Sequence, residues 1–119
     1  MTKPDKKKQL EKVCERLWSK SVITRDNACR GCNSQMVMQA HHIRGRQHKA
    51  TTYDLSNGLT LCRRCHSLQK FRPEKFHDLI IEIIGQMEYD RLKEKSKIII
   101  KFSQQDLIDI RDRLKKESL

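Results

Sequence analysis

Apolar positions recur with helical spacing at the head of the chain. Over residues 6–19, Leu10, Val13, Cys14, Leu17 and Trp18 fall at i, i+3, i+4, i+7 and i+8, while Lys6, Lys7, Lys8, Glu11, Lys12, Glu15 and Arg16 take the other face. This predicts an amphipathic helix, led in by the basic run that begins at Lys3, with its Leu/Val/Trp stripe packed on the central part of the chain. Cys14 lies on the stripe with no partner at CxxC spacing and reads as a small buried hydrophobe. From residue 19 to 29 the period lapses, and the segment reads as a connector.

The middle of the chain changes period. Gln35-Met36-Val37-Met38-Gln39-Ala40 is short and bounded by a loop, which predicts a strand that delivers His41 and His42 at its end. Residues 43–56 are polar and irregular and read as a loop. Ser56-Asn57-Gly58 is a turn signal, since Asn and Gly tolerate positive φ, and Leu59-Thr60-Leu61 predicts a second strand paired with the first. Residues 62–70 look helical. Pro73 suits the first turn of a further helix with the stripe Phe76, Leu79, Ile80, Ile83, Ile84 and Met87, which Gly85 bends or relaxes and Tyr89 and Leu92 continue. The β-branched run in 97–102 predicts a short strand or an extended connector. Ser103 and Asp106 form a capping pair for a last helix through Leu107, Ile110 and Leu114, closed by Lys115 and Lys116. The tail from Lys97 onward either docks a partner or completes the core.

These elements describe an α+β fold in one domain over residues 1–119: an N-terminal helix and connector (1–28), a central finger (29–70) and a helical C-terminal extension (71–119). Hydrophobic residues make up only 36% of the chain and aromatics 5%, so burial gives a thin core that needs a staple. Lys and Arg number 26 against 15 Asp and Glu, a formal charge of +11. That excess favours a polyanion, because neutralised phosphates release counterions. Charge does not by itself choose among DNA, RNA and a membrane surface. No apolar run reaches the roughly 18 residues of a membrane span, and no leader-like segment opens the chain, so an intracellular, cytoplasmic setting is expected.

In a reducing compartment, paired CxxC motifs point to metal before disulfide. Cys29/Cys32 and Cys62/Cys65 supply four thiolates, the ligand set of a structural zinc ion, and the closed loop between them contains His41, His42 and Asn57. Taken singly, each of these has a plain reading: a surface histidine for His41 or His42, a turn former for Asn57, a helix cap or zinc ligand for His66. Taken in order, inside a cysteine-closed loop on a basic chain, they read as a reactive site. His48 and His77 fall outside the pattern, His48 as a candidate phosphate contact.

The ordered set Cys29-x-x-Cys32, Ala40-His41-His42-Ile43, Asn57-Gly-Leu-Thr-Leu and Cys62-x-x-Cys65-His66 resembles the HNH endonucleases, a His-Me finger group with a ββα-metal core. The resemblance spans residues 29–70. A looser likeness, carried by the helical run from Phe76 through Leu92 with Gly85-x-x-Glu88, is to the phage NinG/Rap recombination nucleases. The first resemblance implies a zinc-stapled ββα-metal finger that cuts DNA phosphodiesters, with His42 as general base, His41 and His66 as ligands of a catalytic divalent ion, and Asn57 as the tether of the loop that orients His42. It implies Mg2+ or Mn2+ at the catalytic site, although two imidazoles also suit Ni2+, Co2+ or Zn2+. Arg44, Arg46, Lys49, Arg63 and Arg64 flank the site as candidate phosphate contacts. A phage setting, with packaging or recombination proteins as partners, follows from likeness alone. The competing class is a non-catalytic zinc module that binds nucleic acid and has no use for His42; a narrower reading, from the NinG/Rap likeness, keeps the nuclease and makes branched recombination intermediates its substrate. Strand alternation sends adjacent residues to opposite faces, so His41 and His42 can share one phosphate only where the strand bends or ends.

Overall fold

The computed structural model describes residues 6–117; Lys3, at the head of the basic run, lies outside the described residues. Helix α1 (Lys6–Asp26) runs well past residue 19. Ser21 and Val22, three and four residues beyond Trp18, extend its buried face, and the serine hides the period because its side chain is polar. Asn27 ends the helix at φ 59, with its N–H donating to the Ile23 carbonyl at 2.7 Å. The expected connector is therefore the end of a helix and its cap. Cys14, as expected, is fully buried, and its thiol donates to the Leu107 carbonyl at 3.3 Å.

Strand β1 (Met38–His42) starts later than Gln35, because Val37 sits at φ 50, outside the extended region. His41 and His42 are thus its last two residues. β1 pairs antiparallel with β2 (Gly58–Cys62), His41 opposite Leu59 and His42 opposite Gly58. One face of this ribbon joins Leu59 and Leu61 to Cys29, Cys65, Phe76 and Ile80. The other meets Cys14, Trp18, Val22, Tyr53, Leu107 and Leu114, with Ala40 packed alongside. A two-stranded ribbon alone is marginal in water; here each face is covered by its own apolar cluster.

Asp26 fastens α1 to the ribbon. Its buried carboxylate accepts from the Thr60 N–H at 2.9 Å and from Arg25 Nε at 2.8 Å, while Arg25 also donates to the carbonyls of Leu55 and Gly58. Gly58 lies at φ −110, so it does not supply the positive φ that its place after Asn57 suggests. Its need is space: a Cβ there would collide with Val22 Cγ2 and lie 2.8 Å from Trp18 Cζ2. Gly58→Ala is expected to lower stability by about 1–3 kcal/mol, as overpacking of a tight core does, read as a lower denaturant midpoint at unchanged zinc content.

The segment between the strands is more ordered than its polar sequence implies. It contains the one-turn helix α2 (Lys49–Thr52) and a 3-10 turn, Leu55–Asn57. Its polar side chains bond back to their own backbone, with the hydroxyls of Thr51 and Thr52 donating to the His48 carbonyl at 3.1 and 3.0 Å. Asp54 accepts from the N–H and hydroxyl of Ser56 and from Lys95 Nζ at 2.7 Å. Burial works against the Asp54 charge, yet Lys95 and Ser56 outweigh it and hold the carboxyl below its usual range. A depressed carboxylate stabilises the fold above its unfolded pKa, about 4, and that contribution is lost as pH falls through the folded value. Asp54→Asn is therefore expected to lower Tm at pH 7 and to converge with wild type as pH drops below about 4, as thermal melts across pH would show.

Helix α3 (Arg63–Phe71) follows β2 directly, and α4 (Pro73–Ile84) begins one residue after it. Gly85, at φ 86, breaks the long stripe into α4 and α5 (Gln86–Ser96), which is more than a bend. The break removes Met87 from the core, where it is 88% exposed, and leaves Leu92 fully buried. Residues 97–102 form no strand, so the connector reading holds. The Ser103/Asp106 pair caps α6 (Gln104–Glu117) reciprocally, at 3.0 and 2.9 Å. α6 lies against α1 with Leu107 and Leu114 buried, so the tail completes the core. Among the described residues no helix is long and apolar enough to cross a membrane.

Candidate functional site

The cysteines converge from two turns. Cys29 and Cys32 follow the α1 cap on a turn whose Arg30 N–H donates to the Thr60 carbonyl of β2 at 2.9 Å. Cys62 ends β2 and caps α3, its sulfur accepting from the Cys65 N–H. The four Sγ atoms lie within 4.8 Å of one another, with Cys32 and Cys62 at 3.5 Å. A tetrahedral zinc ion with bonds of about 2.3 Å sets its sulfurs about 3.8 Å apart, so the cluster fits that ion. Gly31 leaves room for it: a Cβ there would meet Cys65 Sγ at 3.0 Å. Burial opposes ionisation of Cys29, but backbone N–H groups of Cys62, Cys32 and Gly31 bring its thiol down to about 6. Burial and the neighbouring thiols push Cys65 up. A cation among them favours the thiolate form of all four.

On the same side of the ribbon, His41 is buried with its ring edge-on to Phe76 at 5.0 Å and to His66 of α3 at 5.1 Å. Burial first, then the His66 and His42 charges, lower its pKa to about 4. It is therefore a neutral imidazole at physiological pH, the state a metal ligand needs. Among the described residues neither His41 nor His66 has a hydrogen-bond partner for its ring nitrogens. Two free imidazoles side by side fit two positions on a divalent ion, with oxygen ligands required for the rest.

His42 faces the other way. Its ring stacks on Trp18, centroids 3.8 Å apart and planes 9° from parallel, and its Nε2 lies 3.1 Å from the Thr52 carbonyl. A carbonyl only accepts, so Nε2 carries the proton and Nδ1 keeps the lone pair. Burial lowers the His42 pKa, against the raising effect of the Thr52 carbonyl; Arg46 lowers it further and Glu15 raises it. Asn57 is fully buried beneath this point. Its Oδ1 accepts from the Arg44 N–H at 2.8 Å and its Nδ2 donates to the Arg44 carbonyl at 3.0 Å, while its own carbonyl accepts from the Ile43 N–H. Asn57 thus clamps the chain where it leaves His42 at the end of β1, and the rings of His41 and His42 lie on opposite sides of the ribbon.

The five candidate phosphate contacts divide. Arg63 and Arg64 are exposed on the first turn of α3, and Lys49 is exposed on α2. Arg46 is paired with Glu15, and Arg44 donates to Ser96 Oγ at 3.2 Å and Tyr89 Oη at 3.4 Å, two neutral groups, with no acidic partner among the described residues. His77 packs edge-on against Tyr89, and His48 precedes α2 with its carbonyl engaged by Thr51 and Thr52. Two contributors escape a reading of the chain: Trp18, visible only as part of an apolar stripe, and the Thr52 carbonyl, which has no sequence signal.

Residues 29–72 match the HNH endonuclease family. The matched stretch comprises both cysteine turns, both strands and α3, and α1, α4, α5 and α6 lie outside it. The family match of this stretch, with its zinc-compatible cysteines, supports a nuclease-type function and an interaction with nucleic acid. No curated protein and no solved structure matches the chain.

Proposed function

We propose that the protein is a divalent-ion-dependent DNA endonuclease in which His42 is the general base. The carrying observation is an imidazole with one nitrogen committed to the Thr52 carbonyl and the other without a partner among the described residues, at a strand end clamped by Asn57, one residue after the His41 that neighbours His66. Nδ1 of His42 takes a proton from the attacking water as its oxygen approaches phosphorus. His41 and His66 would hold the catalytic divalent ion. When bound, that ion supplies positive charge against the scissile phosphate and the departing 3′-oxygen. Arg44, Lys49, Arg63 and Arg64 offer cations for the flanking phosphates, and the overall charge of +11 draws the polyanion in. The four cysteines hold zinc and shape the loop, taking no part in the reaction.

The test is cleavage of supercoiled plasmid with added Mn2+ or Mg2+ and end analysis of the products. Nicked or linear DNA with 5′-phosphate and 3′-hydroxyl ends, abolished by chelation, is expected. Protein that binds the plasmid and leaves it intact with either ion is instead a non-catalytic zinc module, and the proposal fails.

A further inference from the structure

We propose that Trp18, on α1 and outside the matched stretch, is a positioning residue for His42, an inference that rests on the catalytic reading of that histidine. An imidazole attached to a strand end has a broad, roughly two-fold preference about χ2, so its reactive nitrogen points nowhere in particular without neighbours. Here its degrees of freedom are removed one by one. The Thr52 carbonyl selects which nitrogen turns inward. The indole face, 3.8 Å away and 9° from parallel, sets the plane of the ring. Trp18 is itself fixed: it is fully buried, and its Nε1–H donates to the Asp54 carbonyl at 2.9 Å.

The anchor point matters because Asp54 and Thr52 lie on one short segment, and Lys95 of α5 holds that segment through the Asp54 carboxylate. Histidine, indole and carbonyl therefore form one rigid unit spanning α1, β1 and the α2 segment. Gly58, opposite His42 in the ribbon, is what lets the indole approach so closely, since a side chain there would strike it. A tryptophan needed only for packing would require no parallel plane. The matched stretch is thus completed by a side chain from the flanking helix.

Trp18→Leu keeps an apolar filling but no flat face, and Trp18→Phe keeps a face. Loss of orientation in the leucine variant is expected to lower kcat by on the order of ten- to a hundredfold, with KM for plasmid and bound zinc unchanged. Trp18→Phe is expected to retain most of kcat. Equal kcat in folded Leu and Phe variants, whether both normal or both low, overturns the inference. If Trp18→Leu does not fold, the full-length wild-type protein decides through its NMR spectrum. The His42 ring protons should be shifted upfield by the indole ring current relative to those of His48, and unshifted resonances overturn the inference. Normal cleavage by His42→Ala would defeat the catalytic reading itself, which is a different failure.

Discussion

Replacing Cys62 by Ser is expected to release the zinc and unfold the central finger. Cys62 does three things at once: it ends β2, caps α3 and contributes one of the four sulfurs. It also belongs to the apolar cluster that includes Cys29, Cys65, Leu59, Leu61, Phe76 and Ile80, so the metal site is part of the core on that face of the ribbon. A structural zinc site is worth about 10–16 kcal/mol of binding free energy in small domains, while a domain's whole stability is about 5–15 kcal/mol. Losing the ion therefore exceeds what the remaining contacts supply. Cys29→Ser should behave alike. Metal analysis with a thermal melt checks this, and a variant with full zinc and an unchanged Tm would show that the cluster is not the staple.

His42→Ala should have the opposite profile, with the fold and zinc kept and cleavage lost. General-base catalysis is worth about 10²–10⁴-fold, and no other imidazole replaces it, since His41 faces the α3 side with His66. Removing the ring bares one face of Trp18 and leaves the Thr52 carbonyl without its donor. A modest fall in Tm is thus expected. His42→Gln, with a side-chain N–H for Thr52 and no basic nitrogen, should restore Tm without restoring cleavage. Recovery of activity in the glutamine variant would mean that His42 acts by filling space.

Much of this site was legible along the chain because its chemistry is written in short spacings. CxxC pairs put two sulfurs within one turn; strand alternation set the condition that His41 and His42 share a site only at a bend or strand end, and their rings lie on opposite sides of the ribbon at the end of β1. The turn at Ser56-Asn57-Gly58 was legible and is a 3-10 turn, but not for the positive φ expected: Gly58 is extended and small because Trp18 and Val22 press on it. What escaped was tertiary. α1 outlasts its apolar period because a serine can line a buried face, and α2 forms because hydroxyls bond back to His48, a device invisible to hydrophobic pattern. The long stripe after Pro73 was legible as apolar, but Gly85 at positive φ splits it and turns Met87 to solvent. The partnership of Trp18 with His42 joins residues far apart in sequence, and only packing reveals it.

The division of labour between cysteines and histidines is tested most directly by measuring plasmid cleavage, DNA binding and bound zinc on the same preparations of wild type and His42→Ala, with Mn2+ or Mg2+ added. The account predicts equal zinc and equal DNA binding, with cleavage by the wild type alone. Cleavage at the wild-type rate by His42→Ala carrying its full zinc would contradict it.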